Sequence, residues 1–380
     1  MSRNQLPYRP EVMSFEVRAQ YLSEQLLEWI RSDRSGLKEA IQATEQQTSF
    51  RSQDIQHSVH CLEEQLSRDE LTQWVQRLGL EHSDAQPEQE MICCIHAGNL
   101  PMVGLQDVLA VLLSGHIYVG KLSTKDPFLL ASLLEFLSKG LLAPQIQSWS
   151  TQTIQPVTQP YDRVLFAGSE ESLSQIQYSF SQSGQSTPAT QWLNRTASFS
   201  LYWCDTMAEC IDQIDHLLEA MFRYHGKGCR SVGVVAAPFG LNNVADTLMN
   251  AFNQFEEKFP VRSSGVKYTN LEGLLAPAYQ QAYYTAVQRD FIVWGHWSIA
   301  SHPPTYAPIP QSSSQIYWLE MEKSQFPSLF ESYGNKLQTV YTAKGSDDTE
   351  PLYTAQCPPL YWKPDGRDTL EFLTSNTIGS

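Results

Sequence analysis

Apolar residues recur at three- and four-residue spacings through the first part of the chain, from Glu11 to about Leu80. One such run contains Tyr21, Leu22, Leu26, Leu27 and Ile30. This period is typical of amphipathic helices, so we predict a helical N-terminal segment over residues 1–85 that packs on the main body. Ser52 and Ser67 are predicted helix starts because an acidic residue follows each of them closely. The polar stretch 81–90 is a predicted linker.

Past residue 90 the pattern changes to short apolar runs that alternate with amphipathic runs of helical length. In chain order these runs are Met91–Ile95, Gly104–Leu113, Ile117–Lys121, Pro127–Leu137, Arg163–Ala167, Glu170–Gln182 and Ser198–Trp203. Such alternation is typical of a parallel sheet with crossover helices. A helix over Met207–Tyr224, an apolar run over Val232–Ala237 and a helix over Leu241–Phe255 follow. Residues 259–310 show poor periodicity, and we place no elements there.

This order of elements predicts an α/β protein. We divide it into a helical segment (1–85), a Rossmann-like lobe (86–206), a second α/β lobe (207–345) and a C-terminal segment (346–380). The turn Ala167-Gly168-Ser169 lies between a predicted strand and a predicted helix, where backbone N–H groups can face a phosphate or a cofactor. The chain contains no GxGxxG, so the ordinary dinucleotide fingerprint is absent.

Charge and size narrow the function classes. The chain carries 41 acidic and 26 basic residues, a formal net charge of −15, which argues against a nucleic-acid partner. At 380 residues the chain is longer than a protein with a single hydrophobic core usually is. This length favours two lobes. His96, Asn99 and Asp107 interrupt the most apolar stretch, Met91–Gly120, so we expect no membrane span. The seven cysteines are scattered and no secretory leader is visible, so we expect a cytoplasmic protein.

Cys229 is the strongest candidate for chemistry. Gly226 and Gly228 precede it at a predicted helix-to-strand junction, and glycines let a substrate approach the sulfur closely. Lys227 and Arg230 would favour the thiolate, which is the nucleophile that forms a covalent thioester. The alternative is a structural cysteine beside a glycine-rich turn.

Other candidates have weaker support. His225 precedes Cys229 by four residues, but the glycines between them make a helical dyad doubtful, and no third, orienting group is evident. Cys93, Cys94 and His96 could be metal ligands, but neighbouring residues of a strand point to opposite faces. We interpret them as core residues and expect no metal site. Asn99, at a strand end, could donate its amide to an oxyanion, or it could belong to an ordinary turn.

Six segments, taken in order, resemble one family. They are HAGNLPMVGLQDVLAVLLSGH (His96–His116), VGKLSTKDPFLL (Val119–Leu130), RVLFAGS (Arg163–Ser169), LNRTAS (Leu193–Ser198), FRYHGKGCRSV (Phe222–Val232) and AQCPPLYWKPDGRDTLEFL (Ala355–Leu373). The chain resembles acyl-CoA reductases of the aldehyde dehydrogenase superfamily, related to the reductase subunit that supplies fatty aldehyde to bacterial luciferase. The resemblance implies an aldehyde dehydrogenase-like fold with a Rossmann-like cofactor lobe and an α/β catalytic lobe.

The resemblance also implies roles for particular residues. Cys229 matches the family's nucleophile. Asn99 matches the amide that, with the backbone N–H of Cys229, forms the oxyanion hole. Lys121 and Ser123 match the positions that hold the cofactor's adenosine ribose and phosphate side.

Gly168 and Ser169 match the turn beside the pyrophosphate. The implied cofactor is NADPH, since Lys121 or Lys125 could meet a 2′-phosphate, with NADH as the alternative.

The implied reaction is the reduction of an acyl-CoA or acyl-protein thioester to an aldehyde through an acyl-cysteine. Aldehyde dehydrogenases that release acids carry a Glu-Leu-Gly-Gly segment, and the corresponding stretch, which we place at Ser198–Asp205, has no glutamate. A homo-oligomer is expected by analogy with the superfamily. The rival hypothesis is a catalytically degenerate relative that binds an acyl-CoA or acyl-carrier partner within a larger assembly; a cysteine hydrolase ranks third.

Overall fold

The computed structural model describes most of the chain and divides it into two compact units. The described residues are 13–81, 88–154, 160–184, 187–188, 191–259, 271–295, 297–304, 307–310 and 312–375. One unit consists of Met1–Thr196 together with Pro359–Ser380, and the other consists of Ala197–Pro358. No helix in the described ranges is long and apolar enough to cross a bilayer.

Four helices open the first unit, as the N-terminal periodicity predicts. They are α1 (Phe15–Arg31), α2 (Leu37–Gln47), α3 (Ser52–Ser67) and α4 (Glu70–Arg77). Ser52 does begin a helix, but the prediction for Ser67 is wrong, because Ser67 is the last residue of α3. The apolar spacing carries α3 through Leu66, and the chain turns only at Asp69, which has a φ of 57°. Residues 82–87 of the predicted linker lie outside the described residues.

The rest of the first unit is a parallel sheet with crossover helices. Its elements are β1 (Met91–Ile95), α5 (Leu105–Ser114), β2 (Ile117–Lys121), α6 (Leu129–Leu137), β3 (Ile146–Ser150), β4 (Arg163–Ala167), α7 (Glu170–Gln182) and β5 (Trp192–Arg195). The five strands are ordered β3-β2-β1-β4-β5, and every pair is parallel. This order matches the first five strands of the Rossmann order 3-2-1-4-5-6, so the first unit contains a Rossmann-like sheet.

Both faces of this sheet are covered. Cys94 packs in a large apolar core with residues of α1, α5 and α6, whereas Cys93 packs in a smaller core with Phe180 of α7. The two neighbouring thiols therefore point to opposite faces of β1, as strand geometry requires. Their burial raises the pKa of each thiol, which is what inert core cysteines show.

The second unit is built on a larger sheet. Its elements are β6 (Phe199–Trp203), α8 (Met207–Asp212), α9 (Ile214–Phe222), β7 (Val232–Ala237), α10 (Ala245–Lys258), α11 (Leu271–Ala286), β8 (Phe291–Trp294), β9 (Trp297–His302), β10 (Gln315–Glu320), α12 (Phe326–Tyr333), β11 (Leu337–Thr342) and β12 (Glu350–Pro351). The strands of this sheet are ordered β12-β11-β6-β7-β10-β9-β8. Among these strand pairs, β8 and β9 are antiparallel and the others are parallel.

The chain then returns to the first unit. Residues from Pro359 onward belong to it, and they end in α13 (Thr369–Thr374). Leu370 and Leu373 are fully buried in the same core as α1, α5 and α6. The C-terminal segment is thus part of the Rossmann-like unit.

Candidate active site

Five of the six predicted site residues lie at one edge of the first sheet, either at the end of a strand or in the loop that follows it. Ile95, the last residue of β1, pairs with Lys121 at the end of β2 and with Phe166 near the end of β4. Parallel strands place all their carboxyl ends at the same edge, and the strand order reverses between β1 and β4. Ligands of open α/β sheets bind at this type of switch point.

The predicted residues are distributed over three loops at this edge. Asn99 follows β1, Lys121 and Ser123 lie at the end of β2 and just beyond it, and Gly168 and Ser169 follow β4. The structure thus brings these five residues to one edge of the first unit. Cys229, the predicted nucleophile, belongs to the second unit.

The loops after β1 and β2 are in contact through a glycine. A Cβ built on Gly98 would lie 2.1 Å from Oγ of Ser123, so only glycine fits beside this serine. The Ser123 hydroxyl accepts a hydrogen bond from the backbone N–H of Lys125 at 3.2 Å. Nζ of Lys121 donates to the carbonyl of Leu122 at 3.0 Å, and burial lowers its pKa. Lys121 is therefore a half-buried cation at this edge of the sheet, and its side chain is already held by its own backbone.

The turn after β4 fits a phosphate only in part. The N–H of Gly168 donates to the carbonyl of Arg195 at 3.1 Å, which continues the pairing between β4 and β5. Ser169 is the N-cap of α7, and its hydroxyl accepts from the backbone N–H of Ser172 at 3.2 Å. The helix dipole at the start of α7 favours an anion at this edge. Glu170 and Glu171 in the first turn place negative charge there as well, so a pyrophosphate would need a nearby cation.

His96, directly after β1, has a structural role. Its Nε2 lies 2.8 Å from the hydroxyl of Tyr118 on β2, and its Nδ1 lies 3.7 Å from a carboxylate oxygen of Asp107. Burial lowers the pKa of His96 to about 4, although Asp107 opposes this shift. A neutral, buried imidazole ties β1 to β2, and no cluster of His, Cys, Asp and Glu side chains suited to a metal lies in the described ranges.

The thiol loop of the second unit is fixed to the neighbouring strand. Cys229 is half-buried and lies between a short 3-10 turn, Arg223–Gly226, and β7. The backbone carbonyl of Cys229 accepts a hydrogen bond from the hydroxyl of Ser200 on β6 at 2.9 Å. The N–H of Ser231 donates to the carbonyl of Gly228 at 2.9 Å. Cys229 therefore has a fixed backbone at the amino end of a central strand.

The segment that precedes Cys229 in the chain has an unusual backbone conformation. Tyr224, His225 and Gly226 have φ values of 54°, 57° and 64°, in the left-handed region that costs non-glycine residues free energy. A Cβ on Gly226 would lie 2.6 Å from the carbonyl oxygen of Ser313, so this position requires glycine. The backbone that leads from His225 to Cys229 is not α-helical, and the geometry assumed for a helical dyad is absent.

Arg230, expected to favour the thiolate, has its charge paired already. Its guanidinium donates to both carboxylate oxygens of Glu350, at 3.2 and 2.6 Å, and to the carbonyls of Ala355 and Thr354. Burial opposes the charge of Arg230, but the neighbouring Tyr341, Glu350 and Cys229 raise its pKa above the ordinary value. Arg230 therefore anchors the loop and contributes only part of its charge to the thiol.

Sequence reasoning missed three residues that shape these loops. Ser200 and Tyr341 hold the Cys229 loop, the latter by donating its hydroxyl proton to the carbonyl of Arg230 at 3.2 Å. Asp126 accepts the backbone N–H of Met102 at 2.7 Å. Ser200 and Tyr341 lie on other strands, so no local signal marks them. The Asp126-Pro127 pair before an apolar run is a helix-start signal that could have pointed to Asp126.

Comparisons with known proteins agree with this architecture. The family model described as acyl-CoA reductase (LuxC) matches residues 17–269. No curated protein matches the sequence.

Several solved structures share the fold at low identity. A mutant of Bradyrhizobium japonicum proline utilization A aligns with a TM-score of 0.60 and 13% identity, covering 88% of this chain and 37% of that chain. Aldehyde dehydrogenase 21 from Physcomitrella patens, in complex with the reaction product succinate, gives 0.58 and 11%, covering 88% and 73%. Apo betaine aldehyde dehydrogenase from Staphylococcus aureus gives 0.58 and 11%, covering 87% and 71%. The predicted aldehyde dehydrogenase-like fold is confirmed, and the chain spans just over a third of the proline utilization A chains it matches.

Proposed function

The chain belongs to the acyl-CoA reductase (LuxC) family, and from this premise we propose that it reduces an acyl thioester to an aldehyde with a nicotinamide nucleotide as reductant. The observation that carries the proposal is that this chain, a member of a family described as acyl-CoA reductases, has Cys229 at the position that matches the family's nucleophile. Cys229 is only partly buried, and its backbone is held by Ser200 and follows a glycine-containing turn. Such a thiol is accessible to a substrate without being mobile.

In the proposed reaction, Cys229 acts first. Its thiolate attacks the thioester carbonyl, the carbon–sulfur bond to CoA breaks, and the CoA thiolate leaves and takes up a proton. The acyl group stays on Cys229 as a new thioester. The bound nicotinamide supplies a hydride to this thioester. The resulting thiohemiacetal on Cys229 then releases the aldehyde and regenerates the thiolate.

Asn99 is proposed to stabilise the oxyanions of both tetrahedral intermediates. Its loop follows β1 and is held on both sides, by the Gly98–Ser123 contact and by the hydrogen bond from Met102 to Asp126. Loss of one oxyanion donor costs about 10²- to 10³-fold in turnover in other enzymes. We expect Asn99→Ala to lower kcat by about that factor, with a smaller effect on the binding of the reduced nucleotide.

The cofactor is proposed to bind at the carboxyl edge of the first sheet. Lys121 and Ser123 would hold the adenosine side, and Gly168 and Ser169 would face the pyrophosphate. The start of α7, which Ser169 caps, lies at this edge and favours an anion such as the pyrophosphate. NADPH is favoured over NADH because the exposed Lys125 can supply the cation that a 2′-phosphate needs.

The absence of a suitable base favours reduction over hydrolysis. The stretch Ser198–Asp205 has one carboxylate, that of Asp205, which accepts hydrogen bonds from the Trp203 indole and from Lys323, both at 2.8 Å. The hydrogen bond from Lys323 lowers the pKa of Asp205. Asp205 follows the carboxyl end of β6, whereas Ser200, near the amino end, holds Cys229. No carboxylate of this stretch is thus placed to activate water beside the acyl-cysteine.

The test measures the loss of NADPH absorbance with acyl-CoAs of graded chain length, with NADH as a second reductant. Wild type, Cys229→Ala and Cys210→Ala are compared, since Cys210 is another free thiol of the same unit. We expect oxidation by the wild type and by Cys210→Ala, and none by Cys229→Ala. Thioester-dependent oxidation that survives in Cys229→Ala would refute the assignment of the nucleophile.

The two rival functions give different results in the same assay. A binding module of the family would bind acyl-CoA but would neither bind nor oxidise a reduced nucleotide. A cysteine hydrolase would release CoA without any nucleotide. Either result with a folded protein replaces the reductase proposal.

A further inference from the structure

A buried carboxylate joins the two loops that carry Asn99 and the adenosine-side residues. Asp126 is 5% exposed. Its Oδ2 accepts the backbone N–H of Met102 at 2.7 Å. Its Oδ1 is buried and has no hydrogen-bond partner within the described ranges. One side chain thus connects the loop after β1 to the loop after β2.

Met102 occupies a backbone conformation that requires such support. Its φ is 56°, and a non-glycine residue in the left-handed region costs roughly 1–3 kcal/mol. The carbonyl of Met102 accepts from the N–H of Leu105, where α5 begins. The hydrogen bond to Asp126 therefore stabilises the strained residue through which the Asn99 loop enters α5.

A second contact joins the same two loops on the other side of Asn99. Gly98 lies so close to Ser123 that a Cβ would overlap the hydroxyl. Asn99 is thus enclosed between the Gly98–Ser123 contact and the Met102–Asp126 hydrogen bond. A shift of the loop at 121–126 must move Asn99 with it.

We propose that Asp126 is a positioning residue that couples the cofactor-binding loop to the Asn99 amide, so that occupation of the adenosine side fixes the oxyanion donor. The role of Asn99 in this statement rests on the function proposed above. The coupling itself rests only on contacts within the first unit. Asp126 acts through the backbone of Met102 and is not proposed to touch the substrate.

A shorter polar side chain could not replace this carboxylate. Burial raises the pKa of Asp126 to about 6, so burial disfavours the charged form at this position. The length of the side chain lets it reach the N–H of Met102. The coupling role is therefore tested by the length of the side chain at residue 126.

Three variants of Asp126 test the proposal. Asp126→Ala removes the hydrogen bond to Met102, Asp126→Ser keeps a polar group that is too short for Met102, and Asp126→Asn keeps an oxygen acceptor that reaches it. Asp162→Ala is the matched control, because Asp162 also accepts a backbone N–H, that of Met91 at 2.7 Å. That contact lies at the amino end of β1, away from the cofactor edge.

Three measurements are made on each full-length variant: the NADPH dissociation constant without substrate, kcat and KM with an acyl-CoA, and amide hydrogen exchange at Met102. We expect Asp126→Ser to raise the dissociation constant about fivefold or more and to lower kcat about 10- to 100-fold, with faster exchange at Met102. Asp126→Asn should restore most of all three values. Asp162→Ala should leave them at wild-type level.

The outcomes separate this proposal from the proposed function. If Asp126→Ser matches the wild type in NADPH binding and in exchange at Met102, the length of the Asp126 side chain is not needed and the coupling is refuted. If the wild type oxidises no NADPH with any thioester, the reductase proposal fails, but exchange at Met102 and nucleotide binding still decide the coupling. Faster exchange at Met102 with unchanged nucleotide binding would also overturn it.

Discussion

The backbone of Cys229 is held in place, and the positive charge next to it is already paired. Arg230, the nearest buried cation, is bound by Glu350 and two carbonyls. The carbonyl of Cys229 is held by Ser200, and the turn before it passes through three left-handed residues that end at Gly226. The sequence alone identified Cys229 and the glycines before it as a candidate site. It could not predict that the charge of Arg230 is paired with a carboxylate, because Glu350 lies 120 residues further along the chain.

Gly226→Ala should destabilise the protein and misplace the thiol. The added Cβ would meet the carbonyl oxygens of Ser313 at 2.6 Å and Met221 at 2.9 Å, and backbone atoms cannot move aside easily. We expect a loss of about 3 kcal/mol in the free energy of unfolding from strain and overlap. Gly36→Ala is the control, since Gly36 also has a positive φ but has nothing within 4 Å of the added Cβ. Urea unfolding that gives equal losses for both variants would contradict the crowding at Gly226.

His96 should make stability depend on pH between about 4 and 6.5. Burial lowers its folded-state pKa to about 4, below the value near 6.5 expected in the unfolded chain. Within this window the unfolded state binds more protons, so the free energy of unfolding rises with pH and falls on acidification. Over the whole window, this change in the free energy of unfolding amounts to about 3 kcal/mol for one buried histidine.

The measurement for His96 is the pH dependence of urea unfolding in the wild type and in His96→Gln. The variant should lose most of the slope between pH 4 and 6.5, whatever its absolute stability. His60→Gln is the control because the side chain of His60 is 68% exposed. A slope that persists in His96→Gln would show that other groups cause it.

At the scale of elements, the sequence predicted the interior strands of the first unit well and its edge strands poorly. Among the predicted elements, β1, β2, β4, α7 and β7 begin and end at the expected residues, because each carries a continuous apolar run or a clear helical period. The two missed strands of the first unit, β3 and β5, lie at the edges of the sheet. An edge strand is less buried, so it needs fewer apolar residues and gives a weaker pattern.

The second unit shows two further departures. The single helix expected over Met207–Tyr224 is divided into α8 and α9 at Gln213, and a 3-10 turn follows α9. The region 259–310, where no element was expected, contains α11, β8 and β9. In β9 four consecutive residues are buried, so alternation between polar and apolar residues is absent and periodicity alone cannot identify the strand.

Ser169→Ala tests whether the start of α7 belongs to the cofactor site. Loss of its cap on Ser172 should cost about 1 kcal/mol of stability, and we expect weaker NADPH binding as well. Ser14→Ala is the control, because Ser14 caps α1 in the same way, through the N–H of Val17. If fluorescence titration shows equal NADPH affinity for both variants, Ser169 has no role at the pyrophosphate.

At the scale of the whole molecule, the two units are not consecutive segments of the chain. The first unit is interrupted after Thr196 and resumes at Pro359. Two lobes follow from chain length, but the return of the C-terminal segment does not. The indole of Trp74 donates to Asp368, 294 residues away, and no local pattern in either segment reveals such a pair. The tail that resembles the family therefore has a structural role in this chain, because it completes the core of the first unit.

Asp368 should matter more than an ordinary helix cap because it holds the returning segment. It is 5% exposed, it caps α13 through the N–H of Glu371, and its two oxygens lie 3.0 and 3.1 Å from Nε1 of Trp74. Asp368→Ala removes the cap and leaves a buried indole N–H unsatisfied. We expect a loss of about 3 kcal/mol in the free energy of unfolding.

The control for Asp368 is Thr206→Ala, which removes only the cap that Thr206 provides to α8 and should cost about 1 kcal/mol. Asp368→Asn keeps an acceptor for the indole and should recover most of the stability. Hydrogen exchange followed along the chain should show the loss of protection first in α5, since α13 shares its buried core. If Asp368→Ala and Thr206→Ala lose equal stability, the indole contact contributes nothing and the returning segment is held by its other contacts.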